Sequence, residues 1–325
     1  MRFAKGHGTE NDFVIVLDPD NEVDLAPGLV ARLCDRRAGL GADGVLRAVR
    51  TSALPGPAGA AYDSTAAAAA STAGWFMDYR NADGSVAEMC GNGIRVFARF
   101  LLDHELVDGP EFAVATRAGT RLVRAEPDGD ITVDMGQPLV LGDGRAELGG
   151  EELDGLQVSL GNPHLACVVD RPLAEFDLSR PPALDAEQFP DGANLELVRL
   201  AGNGHILMRV YERGSGATRS CGTGAVAAAV AAAAALATAG DVPRDSDVPP
   251  DRDSDELPGR DGLPVAGTLA GGLWVVDVPG GRLRVTLDAA TSFLSGPAVI
   301  VAEGTLDEAW LSGKRLTPDQ SSPAV

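Results

Sequence analysis

Two stretches of this chain are variants of one another: MCGNGIRVFARFL around Cys90 and SCGTGAVAAAVAA around Cys221. In each, a Cys opens a C-G-x-G turn that runs directly into a strongly helical segment. The likeness continues upstream. Asn81 precedes Cys90 by nine positions, and Glu212 precedes Cys221 by the same nine. Further back, GTENDFVIVLD resembles SLGNPHLACVVD, a small-residue turn with an Asn followed by a strand-like run ending in Asp. Asn11 lies 79 residues before Cys90, whereas Asn162 lies 59 before Cys221. The excess of 20 is close to the length of residues 51–74, TSALPGPAGAAYDSTAAAAASTAG; with little to bury, they read as an inserted loop. An internal repeat of this length predicts two domains of the same fold.

Many short β signals lie between the repeats. VIVLD, GVLRAV, FAVATRAGTRLVRAE, ITVDMG, LACVVD, ELVRL and ILMRVYER alternate or run apolar between Gly, Pro and Asp. LWVVDVPGGRLRVTLD is a hairpin with Gly280-Gly281 at its turn. The long helices are the two that follow the cysteines, plus one from about Pro27 to Arg37. The expected fold is α/β (α+β): two similar domains, each a curved, mostly antiparallel sheet around a central helix. The domains are related by a pseudo-two-fold, with the site in the cleft. The first domain is expected to span 1–118 plus about 298–313, and the second 119–297. Residues 241–263 carry eight acidic residues and four Pro, so they cannot offset their ordering entropy and are expected to be disordered. The tail 314–325 is expected to be flexible.

A Cys at a helix start faces the positive end of the macrodipole and free backbone N–H groups, which favour its thiolate. Two such thiols across one site can take a proton from one face of a carbon and deliver one to the other, the chemistry of racemisation or epimerisation. Composition excludes other classes. A net charge of −20 is unsuited to nucleic acid or an anionic membrane, and 45% hydrophobic residues is ordinary for a soluble chain. The longest apolar run, Ala225–Ala239, is too short to cross a bilayer. The N-terminal stretch lacks signal-peptide anatomy, and a reduced, cytoplasmic setting is expected. Four scattered His give no metal-ligand spacing, and Lys5 and Lys314 are the only lysines, neither a convincing pyridoxal phosphate anchor. No cofactor and no metal are therefore expected. Cys34 and Cys167 lack the C-G-x-G context and read as small buried hydrophobes.

The motifs GTENDFVIV, GLGADG, NADGSVAEMCGNGIRVFARF, GNPH and ERGSGATRSCGTG, in this order, closely resemble those of the diaminopimelate epimerases. The resemblance covers nearly the whole chain apart from the two inserts and the tail. It implies interconversion of LL- and meso-diaminopimelate without cofactor, in lysine and peptidoglycan precursor biosynthesis, by a homodimer with a small-molecule substrate. Cys90 and Cys221 match the family's acid/base pair. The backbone N–H groups of Gly91, Asn92, Gly222 and Thr223, at two helix N-termini, can grip the α-carboxylate. The resemblance assigns Asn11, Asn81, Asn162, Asn194, Glu212 and Arg213 to substrate binding, and His164 to the cleft lining. Two departures stand out: Gly44 where many members have Gln, and Ala217 where Glu is frequent. Alternatives are a proline racemase or hydroxyproline epimerase-like enzyme, a dithiol redox protein, and a non-catalytic binding protein that kept the fold.

Overall fold

The computed structural model describes residues 1–54, 73–202, 204–239 and 271–312. Most of the expected loop 51–74, the acidic insert 241–263 and the tail 314–325 lie outside the described residues.

The duplication is written in the strand pairing. From one edge, the first half runs Val299–Thr305, Arg2–Gly8, Asn11–Leu17, Gly44–Arg50, Trp75–Asn81, Glu111–Thr116, Gly119–Ala125 and Ile131–Asp134. The second runs Leu139–Leu148, Glu151–Ser159, Pro163–Val168, Asn194–Gly202, His205–Glu212, Gly272–Val278, Gly281–Leu287 and Ser292–Gly296. In both halves the successive pairings are antiparallel, antiparallel, parallel, antiparallel, parallel, antiparallel and antiparallel. The halves join where Ile131–Asp134 pairs antiparallel with Ser292–Gly296, Phe293 opposite Asp134. The chain crosses to the second half after Asp134 and returns after Gly296, so each half receives its outer strand from beyond the crossing. A division after residue 118 would cut the hairpin that pairs Thr116 with Gly119.

Helix α1 (Pro27–Cys34) covers the outer face of the first half, burying Val30 and Leu33 against Val14, Val16 and Val45. It stops short of the expected Arg37 because the Asp35 carboxylate accepts from the N–H groups of Arg37 and Ala38, turning the chain. The hairpin near residue 280 pairs Val278 with Gly281, so its loop is Pro279-Gly280, one residue earlier than expected.

Helices α2 (Gly91–Asp103) and α3 (Gly222–Ala239) occupy the two concave faces. Helix α2 buries Ile94, Val96, Phe97, Phe100 and Leu101, each side chain contributing about 1.5–3 kcal/mol by leaving water. On α3, Ala225 to Ala233 are buried throughout, and the small side chains let strands approach from every side. Both helices belong to one continuous hydrophobic core.

Their N-termini meet. A Cβ on Gly222 would lie 2.8 Å from the Gly91 Cα, and one on Gly91 would lie 3.1 Å from the Gly222 Cα. The two duplicated glycines therefore allow backbone to touch backbone where a side chain cannot fit. Gly222→Ala should force the helix starts apart, with an overpacking cost of about 1–3 kcal/mol. Urea unfolding would register this as a lower midpoint at unchanged slope; an unaltered midpoint would mean the contact has slack.

Candidate active site

Equivalent positions in the two half-sheets lead to the same place. Phe13 stands beside Gly44 in one parallel ladder, and His164 beside Asn194 in the other. Gly44 faces Asn81 across its antiparallel neighbour; Leu195 faces Tyr211, which sets Asn194 beside Glu212. Strand ends carrying Asn11, Gly44 and Asn81 thus match ends carrying Asn162, Asn194 and Glu212, and both sets point at a Cys-capped helix start.

Cys90 is the N-cap of α2, its Sγ accepting from the Gly93 N–H at 3.4 Å. Its thiol donates to the Asn11 Oδ1 at 3.6 Å, an oxygen that also accepts from the Asn92 Nδ2 at 3.3 Å. The Asn11 Nδ2 donates to Asp43 at 2.8 Å, and Asp43 and Asp12 are bridged by Arg36. Cys221 repeats the motif: its Sγ accepts from the Gly224 N–H at 3.4 Å and lies 3.5 Å from the Thr223 hydroxyl, which accepts from the Asn162 Nδ2 at 3.2 Å. All four cysteines are free thiols, and Cys34 and Cys167 are buried.

The seam between the halves is polar. The Asn92 Nδ2 donates to the Ser220 carbonyl at 3.0 Å, and the Thr9 and Ser220 hydroxyls meet at 2.6 Å. Glu10 pairs with Arg219. Thr9 and Glu10 both take left-handed backbone, φ 49° and 62°, the geometry of a tight two-residue hairpin loop. Such backbone in non-glycine residues costs free energy and is retained here where the turn crosses to the other half.

Asn194 accepts the Arg213 N–H on its Oδ1 at 2.9 Å, and its Nδ2 lies 3.4 Å from the His164 Nδ1. His164 is fully buried, its Nδ1 2.7 Å from the Glu196 Oε1, while His164 Nε2 and Glu196 Oε2 have no partner. Glu212 accepts from Thr218 and is held above its usual range by burial, with Thr218 and Cys221 pulling the other way and the Glu196 charge adding to the rise. The Arg213 guanidinium is exposed and donates to the Asp191 carbonyl at 3.0 Å. Asn81 is placed at its strand end, but its amide donates to Ser85 within its own turn.

Burial works against one sequence expectation. Both thiols lie above the ordinary thiol value despite their helix-start positions. Burial pushes Cys90 up to about 11, against the N–H groups of Gly93 and Asn92, and the Glu212 charge adds to the rise. Burial also holds Cys221 well above the ordinary thiol value, helped by Glu212 and Glu196. Removing a thiolate from water outweighs two or three N–H contacts.

Tyr79 was not foreseen. Its ring packs edge-on against Phe13 at 5.9 Å, and burial raises its phenol, followed by the charges of Cys90, Glu212, Asp43 and Cys221. A Cβ on Gly44 would lie 2.8 Å from the Tyr79 Cε2 and 2.5 Å from the Arg80 carbonyl. The ring therefore occupies the space that a side chain at position 44 would need. Gly44 was the signal in the sequence, but a Tyr in a strand carries no mark of its own. Ala217 is exposed, opposite Tyr211. Among the described residues no group of three His, Cys, Asp or Glu side chains is placed to hold a metal ion, and no helix is long and apolar enough to cross a membrane.

The two-halved α/β fold is shared with solved racemases and epimerases. A probable proline racemase from Agrobacterium radiobacter K84 superposes with a TM-score of 0.57 at 13% identity, covering 94% of this chain and 93% of that one. A hydroxyproline epimerase from Agrobacterium vitis superposes with a TM-score of 0.54 at 13% identity, covering 94% and 91%. At these identities the likeness shows the fold alone.

Sequence comparison is more specific. The model of the diaminopimelate epimerase family matches residues 3–141 and 156–246. A diaminopimelate epimerase of Thermobifida fusca (strain YX) is 56% identical over 304 residues, covering 94% of this chain and 97% of the relative. One from Streptomyces coelicolor is 49% identical over 316 residues, covering 96% and 98%. The chain belongs to the diaminopimelate epimerase family.

The Asp12 cluster behind Asn11 yields a pH test. Burial opposes ionisation of Asp12, but Arg36 and Lys5 together lower it to about 2. A depressed carboxylate contributes stability that is present above its unfolded value of 3.8 and lost as pH falls towards 2. The denaturation midpoint of Asp12→Asn should therefore fall below the parent's at pH about 5 and approach it as the pH nears 2. A constant difference across that range would remove the ionised Asp12 from the account.

Proposed function

We propose that this protein epimerises LL-diaminopimelate to meso-diaminopimelate, with Cys90 and Cys221 as the opposed acid and base. The observation that carries this reading is the abutment of two Cys-capped helix starts, glycine against glycine, one from each half. Two positive helix ends pointed at one spot repel unless an anion lies between them, and an amino-acid carboxylate has the right charge and size. The N–H groups of Gly91, Asn92, Gly222 and Thr223 would hold that carboxylate and stabilise the negative charge that grows as the α-proton leaves. One thiolate takes that proton while the opposing thiol delivers its own to the other face, so each turnover exchanges the protonation states of the two sulfurs.

The second amino-acid end would be held by Asn11, Asn81, Asn162, Asn194, Glu212 and Arg213. Its carboxylate suits the exposed Arg213, and its ammonium suits Glu212 and the amide oxygens. His164 supports Asn194 from below. The proline racemase-like and dithiol redox alternatives are not favoured by the family match, and a cyclic imino acid has no distal end for Arg213 to grip.

The domain division that accompanies this reading ends the first unit at Asp134 and returns to it at Val299. A cytoplasmic setting would keep the four thiols reduced. The homodimer reading is supported by exposed Leu139, Val140, Leu141, Val299 and Val301, apolar residues on the outer strands of both halves. Sedimentation should give a dimer; a monomer at micromolar concentration would remove that part of the proposal.

In D₂O, diaminopimelate isomers should acquire deuterium at the reacting α-carbon, and proline should not. Cys90→Ser and Cys221→Ser should each lose epimerisation by several powers of ten, since a serine hydroxyl is a far weaker acid than a thiol. Their residual exchange should favour opposite epimers, with substrate binding changed much less than turnover. Near-normal epimerisation in either variant, or exchange of the same epimer by both, would contradict the opposed-thiol mechanism.

A further inference from the structure

The two thiols stand at equivalent positions but over unlike ground. Beneath the first turn of α2 lie Phe13 and Leu46, each 3.4 Å from a Cβ placed on Gly93. The equivalent strand positions in the second half carry His164 and Glu196, and the Glu196 Oε1 lies 2.6 Å from a Cβ placed on Gly224. One turn beyond Cys90 stands Arg95; five residues beyond Cys221, at the matching place, stands Val226.

Arg95 is completely buried. Its Nη1 donates to the Gly91 carbonyl at 3.2 Å and its Nη2 to the Thr9 hydroxyl at 3.3 Å, while its Nε has no partner. The negative groups it feels are Cys90 first and Asp130 second, and Asp130 is already held by Arg284 at 3.1 Å. Burial brings Arg95 down to about 10, which leaves it a cation at neutral pH. A buried cation with no carboxylate of its own is costly, and a negative charge on the neighbouring sulfur relieves that cost.

We propose that Arg95 is a positioning residue whose buried charge makes Cys90 the first of the two thiols to ionise, leaving Cys221 as the resting proton donor. The groups facing Cys90 are Asn11, Tyr79, Glu212, Cys221, Arg95 and the N–H groups of Gly93 and Asn92. Those facing Cys221 are Thr223, Glu212, Glu196 with its partner His164, Cys90 and the Gly224 N–H. Glu212 opposes ionisation of both thiols. Arg95 and Glu196 separate them, a cation behind one thiol and a carboxylate behind the other. The first half-reaction then runs with the Cys90 thiolate taking the α-proton as Cys221 gives up its own, after which the sulfurs re-equilibrate with solvent.

The proposal rests on the two-cysteine reading of the site, and its test is independent of turnover. Initial rates of iodoacetamide alkylation are measured for each cysteine by peptide mass spectrometry across the neutral to alkaline range. Midpoints, unlike absolute rates, do not depend on how exposed each sulfur is. In the unaltered protein the Cys90 midpoint should lie about one pH unit or more below that of Cys221. Arg95→Met should raise the Cys90 midpoint by about a unit with little change at Cys221, and Arg95→Lys should restore most of the difference. Glu196→Gln should lower the Cys221 midpoint alone. A Cys221 midpoint at or below that of Cys90 in the unaltered protein overturns the proposal, whether or not Arg95→Met folds. So does a folded Arg95→Met protein, judged by circular dichroism, with its Cys90 midpoint unmoved. Normal turnover of diaminopimelate alongside a reversed order would refute the order alone; absent turnover alongside the expected order would refute the functional reading instead.

Discussion

The contact between Gly91 and Gly222 governs the rest of this molecule. Two helices that would ordinarily be held apart by side chains meet there at backbone distance, a Cβ on Gly222 falling 2.8 Å from the Gly91 Cα. Two consequences follow. Each helix brings its N-cap cysteine to the seam, so the separation of the thiols is set by rigid backbone rather than by flexible loops. The positive ends of two macrodipoles are also directed at one place, a repulsion that a bound anion would relieve. The left-handed Thr9-Glu10 turn, the hydrogen bond from Asn92 to Ser220 and the one between the Thr9 and Ser220 hydroxyls hold the halves in this register.

A duplicated scaffold need not give duplicated chemistry. The strand pairings match step for step, yet the ground under Cys90 is apolar and the ground under Cys221 is an ionisable pair. A thiol pair serving two faces of one carbon needs one sulfur protonated and the other not. Identical surroundings would leave the choice open, whereas Arg95 on one side and Glu196 on the other impose a direction. Both thiols are nevertheless raised by burial.

Much of this was legible in the sequence. The nine-residue spacings Asn81–Cys90 and Glu212–Cys221 announced two equivalent strand–turn–helix units, and the structure places both at the seam. The exchange of outer strands was only partly legible: alternation near residue 300 signals a strand, but the Thr116–Gly119 hairpin that a division after 118 would cut was not marked as one unit. Hydrophobic alternation identifies a strand without saying which sheet receives it. The hairpin of Leu139–Leu148 with Glu151–Ser159 was not expected at all, because Gly142, Gly144, Gly149 and Gly150 break its pattern. Arg95 reads as an ordinary helical Arg and Tyr79 as an ordinary strand Tyr. Their burial depends on packing from elements remote in sequence. The same holds for the thiols, whose helix-start position was visible while the desolvation that outweighs it was not.

The central claim is that one α-carbon lies between two sulfurs contributed by opposite halves. A crystal structure with diaminopimelate bound tests it most directly. The account predicts the Cys90 and Cys221 sulfurs on opposite faces of that carbon, each within about 3–3.5 Å, a near-attack separation. The adjoining carboxylate should lie on the N–H groups of Gly91, Asn92, Gly222 and Thr223. A bound substrate whose α-carbon meets only one sulfur, or meets both from the same face, would contradict it.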